Sequence, residues 1–552
     1  MPGEEETFEA KLWPYERNGV DGVRKAAAGG VENEQQRERN EVAEVLLRLT
    51  EHKRGSKEDE QIVVGRQAEA ELPHGNGQSK REDDRGGDQP LRRELLLRWA
   101  PPTVAFALLA VLLRLPFLDT PLTADEGGYA EIARLWAHGH SLYRSVWIDR
   151  PQGLLLFYRG VVGMGLTSAV DFRLVAAALA ALLVVLTIAL AGRTGGRIPA
   201  LIAGGLVATA GASPFIESFT LSPELVAAVV STAAILAFAQ HQTSGRARWL
   251  IPAGVAAGSA WMVKQSAFDA ALAIAVVIGL RRPRALTVFV LFALAPIMAG
   301  IILSGAPGAW YGDVIAYGFH ASAVASSVST RVGLLAKSLW PAAEALGLLA
   351  LLTSLSWKSA PPLVRCWAVT SMLGVVVGGN FHTHYYLQLV VPLALAAAFV
   401  RVNSFRPLAV TAAAAAATVA FAIPLWGDTD AAQARAIWPH DPHLRSDAAV
   451  ARFVDQHSRS SQRIYVMWAD ADLYYLAQRA PAYPYLWLRN LQTIRGAVAG
   501  ARQMLDRQSA VIVVVEEPPS LLDRSGATAA ALHDNYRLVS RIDGIGVYAR
   551  RR

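Results

Sequence analysis

The chain has one cysteine, Cys366, in 552 residues, so neither a disulfide framework nor a thiolate metal cluster can form within it. It also lacks the short periodic apolar runs of a soluble domain of this size, although 53% of its residues are hydrophobic. No apolar h-region follows Met1, so a signal peptide is not expected. Gly544 and Gly546 are without the following helix and the third glycine of a dinucleotide fingerprint. No repeat relates the two halves as in many transporters. The net charge of +7 could point to nucleic acid, but Lys and Arg sit largely in short loops between apolar blocks, where they report orientation. A nucleic-acid role is therefore rejected.

What the sequence does contain is long apolar blocks. Residues 174–190 and 408–425 are rich in Ala, Leu and Val and almost uncharged, and about 20 such residues cover the ~30 Å hydrocarbon thickness of a bilayer. The pattern predicts a polytopic α-helical membrane protein with about eleven spans. They lie near 100–119, 172–191, 198–214, 222–240, 249–263, 266–280, 285–304, 333–356, 362–379, 385–400 and 407–425. Arg92, Arg93 and Arg98 precede the first span, and Arg193 with Arg197, Arg246 with Arg248, Arg281 with Arg282, Lys358 with Arg365, and Arg401 with Arg406 fill alternate loops. By the positive-inside rule these loops are cytoplasmic, which puts the N-terminus inside the cytoplasmic membrane and the C-terminus outside.

Two flanking regions differ in composition. Residues 1–97 mix charges, Gln and Gly with few aromatics and cannot bury enough apolar area to offset their ordering entropy, so a disordered cytoplasmic tail is expected. Residues 98–426 hold the spans. From 427 to 552 soluble composition returns: 510–515 is a β-branched run ending at Glu516, Glu517 and two prolines, and Asp447–His457 and 493–507 have helical spacing. With 463–468 and 544–549 they predict a small extracytoplasmic α/β domain.

Chemistry-bearing residues gather in the outer loops. After the first span come Arg114-Leu-Pro-Phe-Leu-Asp119, Ala124-Asp125-Glu126-Gly-Gly-Tyr129-Ala-Glu131, then Tyr143 and Asp149-Arg150-Pro151. A connection of about 50 residues is far longer than the usual 4 to 6 and is expected to form an amphipathic surface on the membrane. A helix starting near Ala124 places Asp125, Glu126 and Tyr129 within one turn; Asp125 could equally serve only as its cap. Glu224 opens the fourth span after Ser222-Pro223, with Glu217 a weaker candidate, and an N-terminal helix acid is the plainer reading. Lys264, between two short spans, is costly there and marks a functional hypothesis. Gly379-Asn-Phe-His382-Thr-His384-Tyr385-Tyr386 follows the ninth span; two histidines at i and i+2 without a nearby acid do not read as a metal site, and an aromatic belt is the competing reading.

The first outer loop resembles that of the GT-C glycosyltransferases, in particular the bacterial protein O-mannosyltransferases and aminoarabinose transferases. The shared features are a span ending in Arg-Leu-Pro, then Asp-Glu, Tyr-Ala and a basic residue before proline, and the likeness extends over roughly residues 95–425. It implies transfer of a sugar from a polyprenyl-phosphate carrier to an acceptor outside the cytoplasmic membrane: a cell-envelope glycan, a glycolipid or a protein. Asp125, with Glu126 beside it, is then the catalytic acid pair, Asp125 serving as general base. Arg150 stands where aminoarabinose transferases carry Lys, and with Lys264 it would receive the leaving phosphate. Glu224, Tyr129, Tyr143, His384 and Tyr385 would contact sugar, acceptor or phosphate. The oligosaccharyltransferase type of duplicated acidic motif is missing, so no metal or cofactor is indicated beyond the lipid-linked donor. A flippase of lipid-linked sugars is the alternative from another class; it calls for polar groups near the bilayer midplane rather than at the outer ends of the spans.

Overall fold

The computed structural model describes residues 88–279, 282–324, 327–400, 406–468 and 470–551. The expected tail up to residue 87, and Arg281 and Arg401 among the loop cations, lie outside them. Among the described residues, fourteen helices of eight residues or more make the first part, in the order α1 (Asp88–Leu112), α2 (Ala124–Ala137), α3 (Gln152–Gly163), α4 (Ala169–Gly195), α5 (Arg197–Ala210), α6 (Pro223–Ser244), α7 (Leu250–Val263), α8 (Asp269–Ile278), α9 (Pro283–Leu303), α10 (Tyr317–Val324), α11 (Val328–Ser356), α12 (Pro362–Val377), α13 (Leu387–Ala397) and α14 (Arg406–Trp426). Each predicted apolar segment falls on one of them.

By length and composition they give fewer full crossings than the expected count of about eleven spans. Among the described residues, five helical stretches are long and apolar enough to cross a membrane: Ala100–Phe117, α4, α6, α9 and α11. Helices α5 and α7 have 14 residues, α8 has 10 and α13 has 11. At 1.5 Å per residue they reach roughly 15–21 Å, short of the ~30 Å hydrocarbon layer. Backbone breaks that hydropathy does not register shorten them: Gly196 at φ 82° separates α5 from α4, Lys264 is extended at the end of α7, and Gly279 at φ 58° ends α8.

The C-terminal part adds α15 (Asp430–Ile437), α16 (Asp447–His457), β1 (Arg463–Met467), α17 (Asp472–Leu476), β2 (Ala480–Pro481), α18 (Leu488–Thr493), α19 (Ala497–Asp506), β3 (Ile512–Val515), α20 (Ala527–Asn535), β4 (Tyr536–Ile542) and β5 (Ile545–Arg550). The sheet runs β2-β1-β3-β5-β4, with β1 parallel to β2 and β3, and β5 antiparallel to β3 and β4. The β-branched run of β3 lies centrally, as a strand flanked on both sides should. Asp543 and Gly544, both at positive φ, turn the β4–β5 hairpin in the manner of a primed turn.

The chain from Gly87 onward forms one compact unit, so the boundary expected at 426/427 lies inside it. Helix α2 explains why. Residues 126–133 of α2 are buried, between α3 on one side and the C-terminal part on the other, so this loop does not lie free on a membrane surface. A Cβ on Gly127 would collide with the backbone and side chain of Asp472, and one on Gly128 with Trp487 and Ala471. Two glycines in mid-helix cost helix stability, which the close approach of α17 recovers through packing. Polar ties add to it: Tyr475 Oη donates to the Thr167 carbonyl at 3.1 Å, and Tyr317 Oη accepts from Asn490 Nδ2 and Thr493 Oγ1, both at 3.1 Å.

Candidate active site

The start of α2 is set by Thr123, not by Asp125. Thr123 Oγ1 accepts from the Glu126 N–H at 3.2 Å, and Glu126 Oε2 accepts from the Thr123 N–H at 3.2 Å, a reciprocal capping box. Asp125, the second helical residue, is free of capping duty. Its carboxylate makes no hydrogen bond or ion pair among the described residues, while four charged side chains surround it: His384, Arg150, Glu224 and Asp149. Burial pushes the Asp125 carboxyl above the usual carboxylate range against the pull of His384 and Arg150, and Glu224 and Asp149 add to the rise.

Glu126 departs from the expectation that it acts beside Asp125. It is 1% exposed, ion-paired with the buried Arg173, and accepts the Leu221 N–H at 2.7 Å. Arg173 also donates to Thr120 Oγ1 at 3.0 Å and to the Pro121 carbonyl at 2.6 Å. One residue further along a helix points about 100° away, and that rotation turns Glu126 into the protein as a brace between α2, α4 and the loop before α6.

Around Asp125 the other candidates converge. Lys264, at the end of α7, is buried and ion-paired with Glu224 at the start of α6, and its Nζ lies 3.6 Å from the centroid of the Tyr385 ring. His384 Nε2 is 3.7 Å from Glu224 Oε1, and its Nδ1 is 3.4 Å from Glu217 Oε1. Thr383 Oγ1 donates to the same Glu217 oxygen at 2.5 Å. Burial alone would push His384 down, but the Glu224 and Glu217 carboxylates raise it to about 10, so it carries a positive charge at neutral pH. Burial likewise works against the Glu217 charge, yet His384 and the hydrogen bonds from His384, Thr383 and Trp438 hold it at about 2. The neighbouring His382, stacked on His384 at 5.5 Å, is pushed down to about 4 by burial and by the His384 charge. The two histidines therefore differ in charge.

Arg150 Nη1 pairs with Asp149 Oδ2 at 2.8 Å, while its buried Nε has no hydrogen-bond partner among the described residues. Tyr143, at φ 65°, donates to the Arg150 carbonyl at 2.9 Å and to Gln152 Oε1 at 3.2 Å, so it fixes the turn that carries Arg150 rather than presenting its hydroxyl. Tyr129 is buried between Tyr158, edge-on at 5.8 Å, and Trp487 at 5.7 Å. Glu217 and Asp149 have larger parts than expected from the sequence. Asp149 adjoins Arg150 in the chain, and that adjacency was the available signal.

The arrangement can accept a proton at Asp125 beside Arg150 and His384, with Lys264 paired to the neighbouring Glu224, and each of the three cations already has a carboxylate partner. No protein-family model and no curated protein sequence matches this chain. Among solved structures, ArnT from Cupriavidus metallidurans bound to undecaprenyl phosphate aligns with a TM-score of 0.59 at 15% identity, over 81% of this chain and 97% of that one. The same protein in the apo state aligns at 0.58 and 14% identity, with the same coverage. The fold of this chain is similar to that of ArnT.

Proposed function

We propose that this protein is a membrane glycosyltransferase that moves a sugar from a polyprenyl-phosphate donor to an acceptor on the outer face of the cytoplasmic membrane, in one displacement that inverts the anomeric carbon. The observation that carries the reading is Asp125: an unbonded carboxylate at the N-terminus of α2 beside Arg150 and His384, with Lys264 joined to the group through Glu224. The acceptor hydroxyl or amine gives its proton to Asp125 as it attacks the anomeric carbon. The bond from that carbon to the phosphate oxygen breaks, and the electron pair leaves with the lipid phosphate. Arg150, through its unpartnered Nε, and Lys264 and His384 face the negative charge that grows there. Glu224 and Glu217 set the position and charge of those cations, Tyr385 covers Lys264, and Tyr143 holds the Arg150 turn. Tyr129 backs the helix that presents Asp125. The ArnT structure supports this reading because a protein of the same fold was solved with undecaprenyl phosphate bound. A lipid phosphate is already a good leaving group, so the scheme calls for no cofactor beyond the donor.

The test is transfer by the purified protein in detergent, with the lipid-linked sugar it retains identified by mass spectrometry. Asp125→Asn should retain that lipid and lose transfer. Normal turnover by this variant would remove Asp125 as the base, and lipid movement across proteoliposomes without transfer would instead make the protein a flippase.

A further inference from the structure

A second group of acids lies away from Asp125, at the C-terminal edge of the small sheet. Strands β1 and β3 run parallel, with Met467 opposite Val515, so the segments that follow them leave the sheet side by side. The first carries Asp470 and Asp472, the second Glu516. Asp447, at the start of α16, completes the group. One oxygen each of Asp447, Asp470 and Glu516 lies within 4.8 Å of the others. The crevice outside the carboxyl ends of parallel strands is where α/β sheets take ligands.

These acids lack what buried acids need. Asp447 is 1% exposed, Asp472 0% and Glu516 8%. Both oxygens of Asp447, both of Asp472 and Oε1 of Glu516 are buried without a hydrogen-bond partner among the described residues. The Asp470 N–H donates to Glu516 Oε2 at 2.9 Å, which fixes the loop but leaves the rest of the group open. Among the described residues no Lys, Arg or His forms an ion pair with any of the four. Such a cluster cannot stay ionised without a counter-charge. Either protons or a bound cation must supply that counter-charge, and three carboxylate oxygens converging within 4.8 Å suit a cation.

We propose that Asp447, Asp470 and Glu516 form a binding site for one Ca2+ ion, with Asp472 as a fourth carboxylate at its edge. Oxygens that share one Ca2+ stand at most roughly 4.6–5.2 Å apart, and those of this group lie within 4.8 Å of one another. The donors are all hard oxygens, whereas zinc sites draw on His and Cys. Mg2+ is held through one or two carboxylates with several waters rather than by a cage of this kind. The ion has a structural consequence: Asp472 packs against Gly127 of α2, so a cation that fixes the β1–α17 loop also fixes the helix presenting Asp125.

The full-length protein in detergent, stripped with EGTA, should take up one Ca2+ per chain by calorimetry and metal analysis, with a rise in melting temperature. Asp447→Asn combined with Glu516→Gln should weaken that affinity by more than about 10-fold and abolish the rise. Tb3+ should bind with luminescence sensitised by the adjoining Trp468 and be displaced by Ca2+, a readout on the unmutated chain that stands even if the double variant does not fold. Four results would overturn the site: no uptake of Ca2+ at millimolar concentration, uptake of Zn2+ without Ca2+, Ca2+ uptake unchanged in the double variant, or absence of Tb3+ luminescence. The first, together with a double variant at least as stable as the parent, would identify a cluster of neutral carboxyls.

Discussion

Asp125 and Glu126 are chemically near-identical neighbours, and exchanging each for its amide should separate two kinds of loss. Glu126 is ion-paired with Arg173, and both are 1% exposed. In Glu126→Gln the Leu221 N–H can still find an amide oxygen, but the guanidinium keeps only Thr120 and the Pro121 carbonyl and has no counter-charge. Removing one partner of a buried pair costs about 3–5 kcal/mol, because the remaining charge stays desolvated. Asp125 has no bonded partner to strand, so Asp125→Asn should stay within about 0.5 kcal/mol of the parent. Unfolding followed by tryptophan fluorescence in detergent, run beside a transfer assay, measures both. The expected result is a destabilised Glu126→Gln that turns over in proportion to its folded fraction, and a stable, inactive Asp125→Asn. A Glu126→Gln protein with parental stability and no turnover would refute the brace and return Glu126 to the chemistry.

The pH profile of transfer should be a bell. Its acid limb lies above the ordinary carboxylate value because Asp125 must lose its proton to act, and burial makes that harder; its alkaline limb lies near about 10, where His384 loses its charge, and His384→Gln should remove that limb. A folded-state value raised from 6.5 to about 10 means the His384 contribution to stability is complete below about 6.5 and is lost as pH rises through about 10, which denaturant titrations across that window would detect. Lys264→Met or Glu224→Leu alone should cost about 3–5 kcal/mol by leaving a buried charge, while the two together should recover most of the stability and none of the turnover; recovery of turnover would show that the pair only packs. Gly127→Ala should cost about 1–3 kcal/mol and loosen the C-terminal part from α2, read as faster proteolysis after Trp426; an unchanged digest would mean that the contact with Asp472 is not maintained in solution.

The sequence made the helical architecture and the convergence zone legible because both are written locally. Apolar runs mark helices, and the start of α2 near Ala124 is legible too, although its cap is Thr123 rather than Asp125. Counter-charges are not written locally. Glu126 finds Arg173 47 positions on, and Lys264 finds Glu224 40 positions back. Read alone, each of these residues looks like an available charge, and pairing decides whether it is one. Hydropathy likewise registers composition but not the positive-φ glycines that cut α5 and α8 short. The acids from Asp447 to Glu516 counted as ordinary soluble composition for the same reason: only the parallel pairing of β1 with β3 brings them together, and only their burial makes them unusual.

One electrostatic feature of the site bears on the chemical step. Arg150, Lys264 and His384 are matched by Asp149, Glu224 and Glu217, which leaves Asp125 as the carboxylate in excess. Its negative charge opposes a bound phosphate in the ground state. In the proposed reaction that opposition disappears as Asp125 accepts the acceptor proton, at the moment when charge builds on the departing phosphate, so the proton transfer itself would help the leaving group. An interaction that improves along the reaction in this way accelerates it, whereas three unpaired cations would hold donor and product too tightly for turnover. The consequence is measurable without any catalysis. Asp125→Asn, which has the neutral side chain from the outset, should bind polyprenyl phosphate more tightly than the parent, and the gain should shrink as pH falls and the parent carboxyl becomes protonated. Weaker binding by this variant, or a gain independent of pH, would mean that Asp125 holds the ligand instead of opposing it.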